Sequence, residues 1–157
     1  LSGAYTNLDV SEFSVSALLE ESLELSINND VVNVSNKNYT VSGDLIKLAV
    51  VIKNLLDNVE KYAKTGVPCE FLVEQTEKFI NITIRDFGPG IDNALLSEIK
   101  KPFIQGKHDK SKGFGLGLSI CNRVVLAHSG ERIIKNNAKG GASFIIRVPR
   151  QLKNGKK

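Results

Sequence analysis

Three short segments of this 157-residue chain combine residue types that could hold an anionic ligand and a cation. The first lies between Leu45 and about Ala63, a stretch free of Gly and Pro that reads as a helix. At about 100° per residue, Leu48, Ile52, Leu55, Leu56, Val59 and Ala63 fall on one face, read as core, while Lys53, Asp57 and Glu60 fall on a second, read as solvent. Asn54, Asn58, Lys61 and Tyr62 share a third sector. Two amides one turn apart can offer oxygens to a hard cation or hydrogen bonds to phosphate; the lysine adds charge and the tyrosine an aromatic edge. A solvated polar stripe has the same pattern, so the helix by itself leaves both readings open.

The second segment is Arg85-Asp86-Phe87-Gly88-Pro89-Gly90-Ile91, at the end of an apolar strand. A carboxylate there is poorly solvated and needs donors, for which an exocyclic amine is one candidate. Glycines on both sides of a proline let the backbone pass close to a flat ligand, although as a turn the motif is common. The third is Gly113-Phe114-Gly115-Leu116-Gly117-Leu118-Ser119, running straight into a helical pattern. Exposed amides at a helix start bind phosphate without any side chain. The loop follows no strand with dinucleotide-fold spacing and has no Gly-Lys-Ser/Thr, which disfavours the Rossmann and P-loop folds.

The elements that must position these segments alternate irregularly. A strand over Phe13–Val15 leads into a helix capped by Ser14 or Ser16 and running to about Ile27, with Leu18, Leu19, Leu23 and Leu25 or Ile27 as its apolar set. A Val-rich strand and Tyr39–Val41 follow, then the 45–63 helix capped by Asp44. Cys69–Glu74 and Phe79–Arg85 form a hairpin candidate around a polar connection. A short helix over Ala94–Lys100, a polar loop over Ile104–Gly113, a helix from Leu116 to about His128 and strands at Ile133–Lys135 and Ala142–Val148 complete the chain. This predicts an α+β fold, a two-layer sandwich of about three helices on one face of a mixed sheet.

Composition narrows the function classes. The formal charge of +4 comes from Arg150, Lys153, Lys156 and Lys157, which leaves residues 1–149 with 17 basic and 17 acidic side chains. A nucleic-acid footprint would be a basic face on the fold, so no nucleic-acid partner is expected. Cys69 and Cys121 have neither CxxC spacing nor a nearby His pair, which argues against zinc and a disulfide scaffold and for buried reduced thiols. No apolar run approaches the roughly 20 residues of a membrane span, and the first residues lack the pattern of a signal peptide.

Taken in order, the three segments resemble the boxes of the histidine-kinase catalytic domain, in the gyrase, heat-shock-chaperone, histidine-kinase and mismatch-repair ATPase superfamily. Asn54–Tyr62 resembles the asparagine box, Asp86–Gly90 the first glycine box, Lys101-Pro102-Phe103 the phenylalanine box and Gly113–Gly117 the second glycine box. The resemblance covers roughly Phe13 to Pro149 and implies the Bergerat-type ATP-binding fold, with ATP and Mg²⁺ as ligands. It implies that Asn58 ligates Mg²⁺, Asn54 supports the same cluster, Lys61 reaches phosphate and Tyr62 lies against adenine. Asp86 would accept from the adenine amino group, in a pocket shaped by Gly88 and Gly90. Phe103, Gly113, Gly115, Leu116 and Gly117 would also line the nucleotide site, and Ile104–Lys112 would be the lid, with Lys107, Lys110, Ser111 and Lys112 as candidates for the triphosphate. Gln105, where many members carry a lid arginine, and Ser129-Gly130-Glu131, in place of a glycine pair, depart from the pattern.

Hydrolytic branches of the superfamily place a glutamate general base where this chain has Asn54, which takes no proton at neutral pH. The resemblance therefore implies a protein-histidine kinase that transfers the γ-phosphoryl group to a histidine on a helical dimerisation domain of the same parent protein, with a response regulator downstream. Neither His108 nor His128 suits the acceptor role, so the chain is expected to bind ATP without autophosphorylating. Residues 1–12 would be a linker from an upstream dimerisation domain, 13–149 the catalytic domain and 150–157 a basic flexible tail. The resemblance further implies a cytoplasmic domain, monomeric here, in a homodimeric parent anchored in a bacterial inner membrane. A non-catalytic nucleotide-sensing pseudokinase and an anti-sigma-type serine kinase of the same fold are the alternatives.

Overall fold

Apolar residues recurring with period two build the sheet. Cys69, Phe71 and Val73 of β4 (Cys69–Gln75), Ile80, Ile82 and Ile84 of β5 (Phe79–Arg85) and Phe144, Ile146 and Val148 of β7 (Ala142–Pro149) are buried. The computed structural model describes residues 7–99 and 118–151. In it β2 (Val31–Asn33) and β6 (Glu131–Asn136) complete a five-stranded sheet of order β2-β4-β5-β7-β6, in which β2 runs parallel to β4 and every other pair is antiparallel. A separate antiparallel pair joins β1 (Ser11–Ser14) to β3 (Thr40–Gly43). Among the described residues four helices pack against the mixed sheet, so the α+β sandwich expected from the sequence is the observed architecture. The fourth is the short α3 (Asn93–Ile99).

The caps explain where the two long helices start. Ser14 Oγ accepts from Ala17 N–H at 3.0 Å to open α1 (Val15–Leu25), and Asp44 accepts from Lys47 N–H at 3.1 Å to open α2 (Leu45–Tyr62). Both helices send an apolar stripe inward, Val15, Leu18 and Leu19 from α1 and Leu48, Val51, Ile52, Leu55, Leu56 and Val59 from α2. The expected extension of α1 to Ile27 is not observed, because Ser26 Oγ and Ile27 N–H turn aside to donate to Asp57 Oδ1 at 2.6 and 2.9 Å. Leu25 and Ile27 consequently face solvent, 43% and 61% exposed, while Ser22 takes the buried place and donates to Leu18 O.

That contact also corrects the reading of Asp57 as a solvent-facing residue. It is 7% exposed, and it joins the end of α1 to the middle of α2 while pairing with Lys53 at 3.0 Å. Burial alone would raise its pKa, but the hydrogen bonds from Ser26, Lys53 and Ile27 outweigh burial and hold it below the usual carboxylate value.

At the far end of the sheet, Arg150 N–H donates to Lys78 O at 2.8 Å and its guanidinium to Glu77 O at 3.1 Å, so the chain stays docked on the β4–β5 turn through residue 150. Cys69 and Cys121 are free and buried, their thiols pushed up to about 11 and about 12 by desolvation, so both are unreactive at neutral pH. No helix among the described residues is long and apolar enough to cross a membrane.

Candidate active site

The helix that presents the amides is fixed by its apolar face, which leaves Asn54 and Asn58 half-buried beside the core and Lys61 and Tyr62 exposed at its C-terminal end. Tyr62 is 55% exposed, which leaves most of its ring available to a flat ligand. Lys53, assigned to the solvent face on periodicity, reaches Asn54 Oδ1 at 3.4 Å as well as Asp57. The polar sector is thus braced through Lys53 by the same buried carboxylate that anchors α1.

Asp86 stands one residue past β5 and is 5% exposed. Its Oδ1 accepts from Gly88 N–H at 3.0 Å and from Ala142 N–H at 3.2 Å, and no described residue donates to Oδ2. Burial pushes its pKa up, opposed by those two backbone N–H groups. Among the described residues one carboxylate oxygen is therefore held by two backbone N–H groups, and the other can still accept from a further donor. An exocyclic amine supplies such a donor.

The turn after Asp86 is packed too tightly for a side chain at position 88. A Cβ on Gly88 would lie 2.9 Å from Ala63 Cβ, so this glycine lets the turn rest against the residue that follows Tyr62. Asp86 and the C-terminal end of α2 are brought together by that contact, across a sequence separation that no local pattern spans. Gly90 adopts φ +83°, a conformation that glycine takes without penalty. Behind Asp86, Gly141 at φ +82° comes so close that a Cβ would fall 2.0 Å from Asp86 O.

Asn54, Asn58, Lys61 and Tyr62 thus share α2, and Asp86, Gly88 and Gly90 form the turn packed on its end. Phe103, Lys107, Lys110, Ser111, Gly113, Gly115, Leu116 and Gly117 lie outside the described residues, as do Gln105 and His108; α4 (Leu118–Ala127) is described from Leu118 onward. Sequence reasoning missed Lys53, Asp57, Asn136, Gly141 and Ala142. Only Gly140-Gly141 carried a signal, since two adjacent glycines exceed what a hairpin turn requires.

A nearby open groove of about 410 Å³ touches the same turn through Phe87 and reaches Asn136 at the end of β6, and among the described residues it includes none from α2. No group of three or more His, Cys, Asp or Glu side chains suited to a metal occurs among the described residues. The half-buried amide of Asn58 on α2 is of a chemical type that can offer an oxygen to a hard cation.

His128, the one histidine among the described residues, is fully buried. Its Nδ1–H donates to Val124 O at 2.8 Å and its Nε2 accepts from Asp44 N–H at 3.0 Å. With both nitrogens occupied, the ring ties the end of α4 to the start of α2 and offers no exposed nucleophile.

Comparison with known proteins agrees with this geometry. The family described as "Histidine kinase-, DNA gyrase B-, and HSP90-like ATPase" matches residues 43–152. Sensor protein KdpD of Clostridium acetobutylicum is 35% identical over 133 residues, 83% of this chain and 14% of that protein. Sensor histidine kinase CssS of Bacillus subtilis is 32% identical over 131 residues, covering 83% of this chain and 26% of its own length. The chain therefore spans a minor part of these relatives. In fold it is similar to the catalytic domain of histidine kinase ThkA, with TM-score 0.69, 23% identity, and coverage of 90% of this chain and 96% of that one. The chain belongs to the family of histidine kinase-, DNA gyrase B- and HSP90-like ATPases.

Proposed function

We propose that this chain is the ATP-binding catalytic part of a sensor histidine kinase, which passes the γ-phosphoryl group of ATP to a histidine on a separate helical dimerisation domain. The observation that carries this reading is Asp86, buried with one oxygen fixed by two backbone N–H groups and the other open, on a turn packed against the end of the amide-bearing helix. Asp86 Oδ2 accepts from the adenine amino group, and Tyr62 covers the base. Asn58, supported by Asn54, holds Mg²⁺, which when bound neutralises phosphate charge. Lys61 and, from the glycine-rich segment and its approach, Lys107, Lys110, Ser111 and the backbone of Gly113, Gly115, Leu116 and Gly117 hold the triphosphate, and Phe103 contributes to the nucleotide site.

In the transfer, a histidine nitrogen of the partner domain attacks the γ-phosphorus, the bond to the β,γ-bridging oxygen breaks, and ADP leaves with that electron pair. Asn54 cannot act as a base on water, which favours transfer over hydrolysis. The connection to the dimerisation domain precedes β1, whose pairing with β3 already includes Ser11 and Glu12, and the residues after the docked Arg150 act as a basic tail. The parent is a membrane-anchored homodimer that signals to a response regulator. Histidine kinase ThkA, similar to this chain in fold, has been solved in complex with response regulator protein TrrA, which supports that last partner class.

The test mixes this chain with a helical domain carrying the acceptor histidine and with γ-labelled ATP and Mg²⁺. Acid-labile label should appear on the helical domain, none on the chain alone, and none with Asn58→Ala. Acid-stable label, or transfer undiminished in Asn58→Ala, would contradict the reading.

A further inference from the structure

Asn136, the last residue of β6, makes a pair of hydrogen bonds to a single residue of the turn beyond Asp86. Ile91 N–H donates to its Oδ1 and its Nδ2 donates to Ile91 O, both at 2.8 Å. The side-chain amide therefore acts as one more rung of a sheet, joining a loop that has no strand of its own to β6. Across the β6–β7 ladder, Asn136 is the direct partner of Ala142. Ala142 in turn holds Asp86 from both directions, its N–H donating to Oδ1 at 3.2 Å and its carbonyl accepting from Asp86 N–H at 3.0 Å. One rung of the ladder thus grips the 86–91 turn at both ends, at Asp86 through Ala142 and at Ile91 through Asn136.

Gly90 is explained by the same contact. A Cβ at this position would lie 2.9 Å from Asn136 Oδ1, so the amide reaches Ile91 by passing over a residue that has none. The chemistry demanded is narrow, since one side chain must present an acceptor and a donor side by side to a single peptide unit. Asp lacks the donor, Ser has one group for two partners, and Gln is one carbon longer. Asn136 is itself solvent-exposed, so its removal empties no core volume.

We propose that Asn136 is a positioning residue for base selection, holding the 86–91 turn so that Asp86 Oδ2 stays in place for an exocyclic amine. The role rests on the reading of Asp86 as the group that recognises adenine. Asn136 touches no reacting atom and acts through the turn. Its loss weakens binding of a base that uses Oδ2 and leaves a base lacking the amine almost unaffected, whereas a merely structural residue would weaken both nucleotides alike.

Titration calorimetry of the 157-residue chain with ADP and with IDP, each with Mg²⁺, separates the possibilities. The wild-type chain is expected to prefer ADP, and Asn136→Ala to reduce that preference about tenfold by weakening ADP alone, the loss expected for two exposed hydrogen bonds. Asn136→Asp, which keeps the acceptor for Ile91 N–H and sets an oxygen against Ile91 O, should shift the ratio in the same direction and serves if the alanine variant folds poorly. An unchanged ratio in folded variants, with both nucleotides weakened equally or neither, overturns the proposal and leaves the Asp86 reading intact. A wild-type chain with no preference overturns the Asp86 reading and the proposal with it.

Discussion

Replacing Asp86 with Asn changes a single atom at the centre of the proposed site and separates recognition from stability. The amide oxygen can keep the place of Oδ1, accepting from Gly88 and Ala142 N–H, while the open Oδ2 becomes an N–H donor. A hydrogen bond to a charged acceptor contributes about 1.5–3 kcal/mol, and two donors left facing each other add roughly 1–3 kcal/mol of unpaired cost. The expected loss for an adenine nucleotide is about 3 kcal/mol or more, roughly two orders of magnitude in Kd. Stability should move little, because the variant no longer buries a charge that is poorly solvated in the wild type. Calorimetric titration with a non-hydrolysable ATP analogue measures the first effect and thermal melting the second, with a shift of no more than about 4 °C expected. The pH dependence has a definite sign. The pKa of folded Asp86 is raised, so its protonation favours the folded state and its contribution to stability is lost as pH rises through the folded pKa. The wild type should gain on the Asn variant as pH falls through the carboxylate range. Binding within about threefold of wild type, or a large drop in melting temperature, would refute the assignment of Asp86 as an open acceptor.

Three other outcomes follow from the packing. His128→Ala should cost about 3 kcal/mol or more in denaturant unfolding, because it empties a fully buried site and leaves Asp44 N–H without its acceptor. Burial holds the His128 pKa below 6.5, with Val124 O and Asp44 opposing and Lys47 assisting, so the unfolded chain takes up the proton first. Wild-type stability should therefore fall below about pH 6.5 by up to about 1.4 kcal/mol per pH unit, and the alanine variant should lack that phase. Gly141→Ala should destabilise by about 3 kcal/mol and abolish nucleotide binding, since its methyl would fall 2.0 Å from Asp86 O in a backbone conformation that L residues rarely adopt; melting and titration on one sample check both effects. Asp57→Ala removes the acceptor for Ser26 Oγ, Ile27 N–H and Lys53, and should cost about 2–4 kcal/mol in urea unfolding.

Much of the architecture was legible because its causes are local. Period-two alternation marked β4, β5 and β7, the 3.6-residue stripe marked α2, and the caps at Ser14 and Asp44 lie within three residues of the N–H groups they satisfy. The polar sector of α2 and the turn after Asp86 could likewise be read from type and spacing. Asp57 misled because helical periodicity places a residue on a sector and does not say what packs there. The occupant is the end of α1, 30 residues away. Asn136 and Ala142, 45 and 56 residues from their partners on the turn, gave no signal for the same reason, and the His128 contact with Asp44 spans 84. By itself the sequence determined which elements form and which side chains could do chemistry. The tertiary structure alone decided which of those groups are buried, which oxygen of Asp86 is left open, and which distant backbone holds it, because burial and hydrogen-bond partnership are set by neighbours in space.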